Sequence, residues 1–129
     1  MAVAQNPWGA SLRRFAQFGD RVAVSSRGQT LTYAELVAQA EAVRAAVVEA
    51  GAKTGEVIAI VARNGPGVVV ASYGVMASGA AEFVVDLNLG LDDIAYAMRI
   101  LKVRRGIVER GELPRRTLRM RMALSLIHI

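Results

Sequence analysis

Apolar residues recur along this chain first at every second position, then at every third and fourth, then in short unbroken runs, and each change of period predicts a change of element. In RVAVSSRGQTLT, Val22 and Val24 alternate with polar neighbours, Ser26-Arg27-Gly28 supplies a turn and Leu31 follows, the pattern of a short hairpin. A helix is expected at once after it. In TLTYAELVAQAEAVRAAVVEAG, Thr32 with Glu35 three residues on forms a capping box, each side chain meeting an otherwise orphan backbone N–H of the first turn. Leu36, Val37, Ala40, Val43, Val47 and Ala50 then fall on one stripe opposite Glu35, Gln39 and Glu49, and Gly51 stands where a left-handed cap belongs.

EVIAIVA is a β-branched run between Gly55 and Asn64, too apolar to be half exposed, which suits a central strand covered on both faces. Asn64 is placed to cap a helix starting at Gly65-Pro66, whose positions Val68, Val69, Ser72, Tyr73 and Met76 repeat at three and four, with Gly79 as its end. EFVVDL reads as another buried strand, LDDIAYAMRILK as a helix with Asp92 and Asp93 near the positive end of its dipole, and RRGIVER as a last strand. Strands alternating with helices predict crossover connections and a mainly parallel sheet in an α/β arrangement. Tyr33, Tyr73, Tyr96 and the scattered methionines are spaced as core residues.

Composition narrows the chemistry. The chain has 129 residues, room for one domain or a piece of one, and its 53% hydrophobic and 21% charged residues place it among globular proteins. It has no cysteine, which removes disulfides, thiolate metal sites and cysteine nucleophiles. The net charge of +5 does not indicate nucleic acid: four of the charges are Arg115, Arg116, Arg119 and Arg121, and no basic face with base-reading or stacking groups accompanies them. The start, MAVAQNPWGASLRRF, lacks the apolar run of a secretory signal, so a cytoplasmic address is the default expectation. NGPGVVVASYGVMASGAA is uncharged but short for the ~17–25 residues of a membrane span, and its glycines and serines dilute it.

Two stretches suggest phosphate binding. GAKTG fails as a phosphate loop, because Ala52 stands where glycine should precede lysine and the segment follows a helix instead of a strand; a solvated turn is the better reading. Gly65-Pro66-Gly67 does follow a strand and open a helix, with Asp86 about twenty residues on, as in dinucleotide-binding units, although Val70 replaces the third glycine and Pro66 removes a backbone donor. A small α/β nucleotide-binding module using Gly65, Gly67 and Asp86 therefore stays open as one reading. The carboxylates offer no acid–base pair: Glu35 caps, Asp92 and Asp93 favour a dipole, and Glu41 and Glu49 should face solvent. No serine sits in a nucleophile elbow, and the single histidine, His128, can assemble neither a triad nor a metal cluster.

The second reading comes from a resemblance. FGDRVAV through LTYAEL, and on to GVMASGAAEFVVDLNLGLDDIAYAMRI, resembles the N-terminal part of the adenylate-forming, AMP-dependent synthetase and ligase superfamily of acyl-CoA synthetases, peptide-synthetase adenylation domains and luciferase-like enzymes. LTYAEL is similar to that family's first core motif and MASGAAEFVVDLNL to its second, and the likeness covers about residues 12–109. Glu82 stands where the family usually has tyrosine, Val84 and Leu87 where prolines are common, and Gly65 where serine is frequent; the branch implied is acyl-CoA synthetase or adenylation domain. The resemblance implies the front part of the large N-terminal domain of such an enzyme.

It also implies the activity of the parent: a carboxylic acid is activated by ATP to an acyl-adenylate and passed to a thiol such as coenzyme A or a carrier-protein thiol, with Mg²⁺ on the triphosphate. The family's phosphate loop, its ribose-binding aspartate and its C-terminal lysine have no counterparts in this sequence. No catalytic, cofactor-binding or metal residue is therefore assigned, the chain alone is expected to be inactive and to bind none of these cofactors, and its missing partner is the remainder of its own domain. Residues 1–112 are expected to be the domain body and 113–129 a doubtful tail. LSLIHI is what CTGTCTCTTATACACATC encodes in frame, and that string resembles a transposase end sequence used in sequencing libraries. A parallel sheet interrupted partway should leave an unpaired edge and an uncovered apolar face.

Overall fold

The computed structural model describes residues 6–109 and 125–128. Helix α1 (Pro7–Phe15) runs into a single 3₁₀ turn (Ala16–Phe18), followed by β1 (Val22–Ser26), β2 (Gln29–Thr32), α2 (Tyr33–Glu49), β3 (Val57–Val61), α3 (Pro66–Ala77), β4 (Ala81–Val84), α4 (Leu91–Ile100), β5 (Arg105–Val108) and β6 (Ser125–His128). The expected α/β layering is present. β1 and β2 pair antiparallel as a separate ribbon, and the other four strands form one parallel sheet in the order β4-β3-β5-β6.

The local signals explain most of these elements. Arg27 and Gly28 both have positive φ, 51° and 78°, the geometry of a two-residue turn whose twist matches its strands. Thr32 Oγ1 accepts the Glu35 N–H at 3.1 Å, while the Glu35 carboxylate accepts the Thr32 N–H at 3.4 Å, closing the capping box at the start of α2. At its other end Gly51 adopts φ 86°, and the N–H groups of Gly51 and Ala52 donate to the carbonyls of Val48 and Val47, a Schellman motif. Leu36, Ala40, Val43 and Val47 are buried as the stripe predicts.

β3 is central, flanked by β4 and β5, and its alternate side chains divide the core into two. Ile58 and Ile60 join Val43 and Val47 of α2 and Val70, Ala71 and Val75 of α3 on one face; Ala59 and Val61 join Ile94 and Met98 of α4 on the other. Fully burying a side chain such as Ile58 or Ile60 contributes about 1.5–3 kcal/mol. Crossovers thus cover both faces of β3, as its continuous apolar run requires.

Four expectations need correction. The residue at the α3 N-cap is Gly65, and no side chain caps it, so Asn64 does not perform that role. The buried face of α3 is Val70, Ala71, Gly74, Val75 and Ala77, not the stripe through Val68, Ser72 and Met76: a helix that is apolar on every side gives periodicity nothing to select. β4 is an edge strand, with Ala81 and Val84 exposed, because no strand pairs on its outer side among the described residues. Tyr96 is 60% exposed on the outside of α4 and is not a core residue.

Helix α1 has its own start signal in Asn6-Pro7. Asn6 Oδ1 accepts the Trp8 N–H at 2.9 Å, and Asn6 Nδ2 donates to the Met76 carbonyl at 2.8 Å, so one buried side chain closes the start of α1 and the end of α3. Tyr73 packs edge-on against Trp8 and Phe15 in the same contact, with centroids 5.9 and 5.5 Å away. The expectations for residues 113–123 lie outside the described residues; β6 pairs with β5 from Arg105↔Ser125 to Val108↔His128.

Candidate functional site

β3 leads through Ala62-Arg63-Asn64 into α3 on one face of the sheet, whereas its neighbour β4 leads through Val85–Leu89 into α4 on the other. Two adjacent loops that diverge to opposite faces leave a crevice at the carboxyl ends of their strands, the usual place for a ligand in an open parallel sheet. The crevice here has a volume of about 690 Å³ and is walled by Arg27 from the hairpin turn, Ala62–Asn64, and Val84–Asn88.

Gly65, Gly67 and Asp86 all lie around this end of the sheet. Asp86 is exposed, and its Oδ1 accepts the Asn88 N–H at 2.9 Å, so the carboxylate shapes the loop between β4 and α4. Gly65 has φ 160° and ψ −167°, extended backbone that other residues also adopt. At Gly67 a Cβ would stand 2.8 Å from Glu109 Oε1, so that a side chain there would displace the Glu109 carboxylate. The other carboxylate oxygen of Glu109 accepts the Arg63 N–H at 3.1 Å, and the Glu109 N–H donates to the Val61 carbonyl at 3.0 Å. The Glu109 carboxylate thus ties the end of β5 to the loop before α3 and lies against the first turn of that helix. Sequence reasoning missed Glu109, because its approach to Gly67 is created only when β5 pairs with β3.

GAKTG folds as the solvated turn expected, at the opposite end of β3, with Gly55 at φ 81°. A second hollow of about 640 Å³ between α1 and α2 is lined by Leu12, Val37, Arg13, Glu41 and Arg44. Glu41 holds the Arg44 guanidinium there, at 2.6 Å from Nε, and this hydrogen bond raises its pKa further above the ordinary arginine value. No group of three or more His, Cys, Asp or Glu that could hold a metal ion occurs among the described residues. No helix among them is long and apolar enough to cross a membrane.

A family model described as AMP-binding enzyme matches residues 12–125, nearly the whole described fold and past residue 112. The chain belongs to the AMP-binding enzyme family. Solved structures agree on the fold of this family member. An anthranilate CoA ligase in complex with anthranoyl-AMP superposes with a TM-score of 0.84 at 19% identity, over 100% of this chain and 27% of that one. A benzoate CoA ligase from Burkholderia xenovorans gives 0.83 at 21% identity, over 96% and 26%. The O-succinylbenzoate coenzyme A synthetase from Bacillus subtilis gives 0.79 at 18% identity, again over 96% and 26%. This chain therefore spans about a quarter of the length of these structures. No curated protein matches it.

Proposed function

We propose that this chain is the front part of the large domain of an adenylate-forming ligase. In its complete form the enzyme joins a carboxylic acid to ATP, releases pyrophosphate, and passes the acyl group from the adenylate to a thiol such as coenzyme A or a carrier-protein thiol. The observation that carries this reading is the family match over residues 12–125, on a fold that corresponds to about a quarter of several CoA ligases.

The chemistry asks for phosphate-binding donors, a Mg²⁺ site and a group that stabilises charge at the transferring phosphorus. Among the described residues no group of three or more His, Cys, Asp or Glu could hold a metal ion, and Asp86 accepts a hydrogen bond within its own loop, which supports the reading that these groups come from elsewhere in the domain. No step is assigned to any described residue. The role of this segment is to build the sheet and its two flanking layers, and alone it is inactive.

Calorimetric titration of the 129-residue chain with Mg·ATP tests this against the nucleotide-module reading. No saturable heat is expected, and Asp86→Ala should change nothing. Saturable binding that Asp86→Ala weakens would support the module using Gly65, Gly67 and Asp86 instead.

A further inference from the structure

The outer edge of β4 carries a polar demand that no described residue meets. Glu82 is largely covered, and its Oε2 is buried with no hydrogen-bond partner. An unsatisfied buried oxygen is costly, about 1–3 kcal/mol and more when charged. Its register explains where a partner could come from. Glu82 aligns with Ile58 and Val84 with Ile60, so both side chains lie on the α2/α3 face of the sheet. The N–H groups of Ala81 and Val85 donate to the Glu56 and Ile60 carbonyls of the β3 side. By the two-residue period of a parallel ladder, the N–H groups of Glu82 and Val84 then point outward, to the open edge. Val84 is 43% exposed beside them, and Leu87 and Leu89 continue apolar surface past the strand end at 37% and 50%.

A strand laid on this edge would place its own residues about 4.8 Å away, on the same face as Glu82 and Val84. We infer that the β4 edge is a docking site for a further β-strand that sets a lysine or arginine beside Glu82 and an apolar residue beside Val84. The inference rests on the reading of this chain as the front part of a larger domain, from which such a strand would come. Charge decides the occupant: a second copy pairing edge to edge would bring another Glu82 towards the first, whereas a cation satisfies Oε2 and offsets its desolvation.

The test uses the full 129-residue chain and two capped heptapeptides of alternating valine and threonine, one with a central lysine and one with a central glutamate. Backbone amide spectra are followed as each is added. The lysine peptide should shift the Glu82 and Val84 amides and bind at least about fivefold more tightly than the glutamate peptide. Glu82→Gln, nearly isosteric, should remove that preference. Val84→Lys, at an exposed position, should weaken the lysine peptide while leaving the fold intact by circular dichroism. Equal affinity for the two peptides, shifts confined to other elements, no shift at millimolar peptide, or concentration-dependent self-association through β4 that Glu82→Gln leaves unchanged would each overturn the proposal. None of these readouts depends on ATP, so failure here is distinct from failure of the ligase reading.

Discussion

Replacing Gly74 by alanine should destabilise the fold, although alanine is the better helix former. Gly74 lies where α3 crosses α2; a Cβ at that position would stand 2.5 Å from Val43 Cβ, 2.5 Å from Val43 Cγ1 and 2.8 Å from the Ala40 carbonyl oxygen. Comfortable carbon–carbon contact is about 3.5–4.0 Å, so the two helices must separate by roughly 1 Å. Rotation cannot relieve it, because two of the three obstacles are a Cβ and a backbone oxygen. Separation loosens Leu36, Val43 and Val47 against Val70, Ala71 and Val75, and a radial gap of about 0.5–1 Å forfeits a quarter to a half of each contact. Overpacking of this kind costs about 1–3 kcal/mol, against about 0.5–1 kcal/mol gained in helix propensity. Given two rigid obstacles, a net loss of about 2 kcal/mol is expected, which at a urea slope of about 1–2 kcal/mol/M lowers the midpoint by 1 M or more. Val43→Ala removes Cγ1 but not Cβ, so in the Gly74→Ala background it should cost less than it does alone, with only partial rescue. A midpoint for Gly74→Ala that is unchanged or raised would refute the close crossing.

Asn6→Ala removes the cap on α1 and the donor to the Met76 carbonyl together, and thermal melting should report a loss of about 2 kcal/mol. Arg105 donates to the Ala50 carbonyl at 3.1 Å and to Glu56 at 2.5 Å, with both side chains mostly covered; Arg105→Met should cost about 1–3 kcal/mol in urea unfolding, and Glu56→Gln, which keeps an acceptor, should cost less. Thr32→Ala opens the capping box and should cost about 1 kcal/mol, with Thr32→Ser restoring most of it.

Elements with a local cause were legible in the sequence. The turn at Arg27-Gly28, the box of Thr32 and Glu35, and the left-handed Gly51 and Gly79 are each decided by neighbours within four residues. Elements decided by distant contacts were not. The Asn6-Pro7 start of α1 is a readable cap, but the short amphipathic helix behind it gains its stability from α3, through Met76 and Tyr73. EFVVDL has the composition of a covered strand and lies at an edge, because what composition encodes is the burial of a whole sheet and the described residues pair only one side of β4. At the site, the crevice followed from strand order, which periodicity does not specify, and Gly67 looked like a phosphate-binding glycine because Glu109 is 42 residues away in sequence. The family, by contrast, was carried by short motifs whose structural work is to cap α2 and to turn α3 into β4.

On the proposed reading, the described fold is a scaffold whose chemistry belongs to the rest of an adenylate-forming domain. ATP–pyrophosphate exchange by the purified 129-residue chain, with Mg²⁺ and a panel of aliphatic and aromatic carboxylic acids including benzoate and anthranilate, tests it most directly. No exchange above the protein-free rate is expected with any acid, and carboxylic-acid-dependent exchange that copurifies with the folded chain would overturn the scaffold reading.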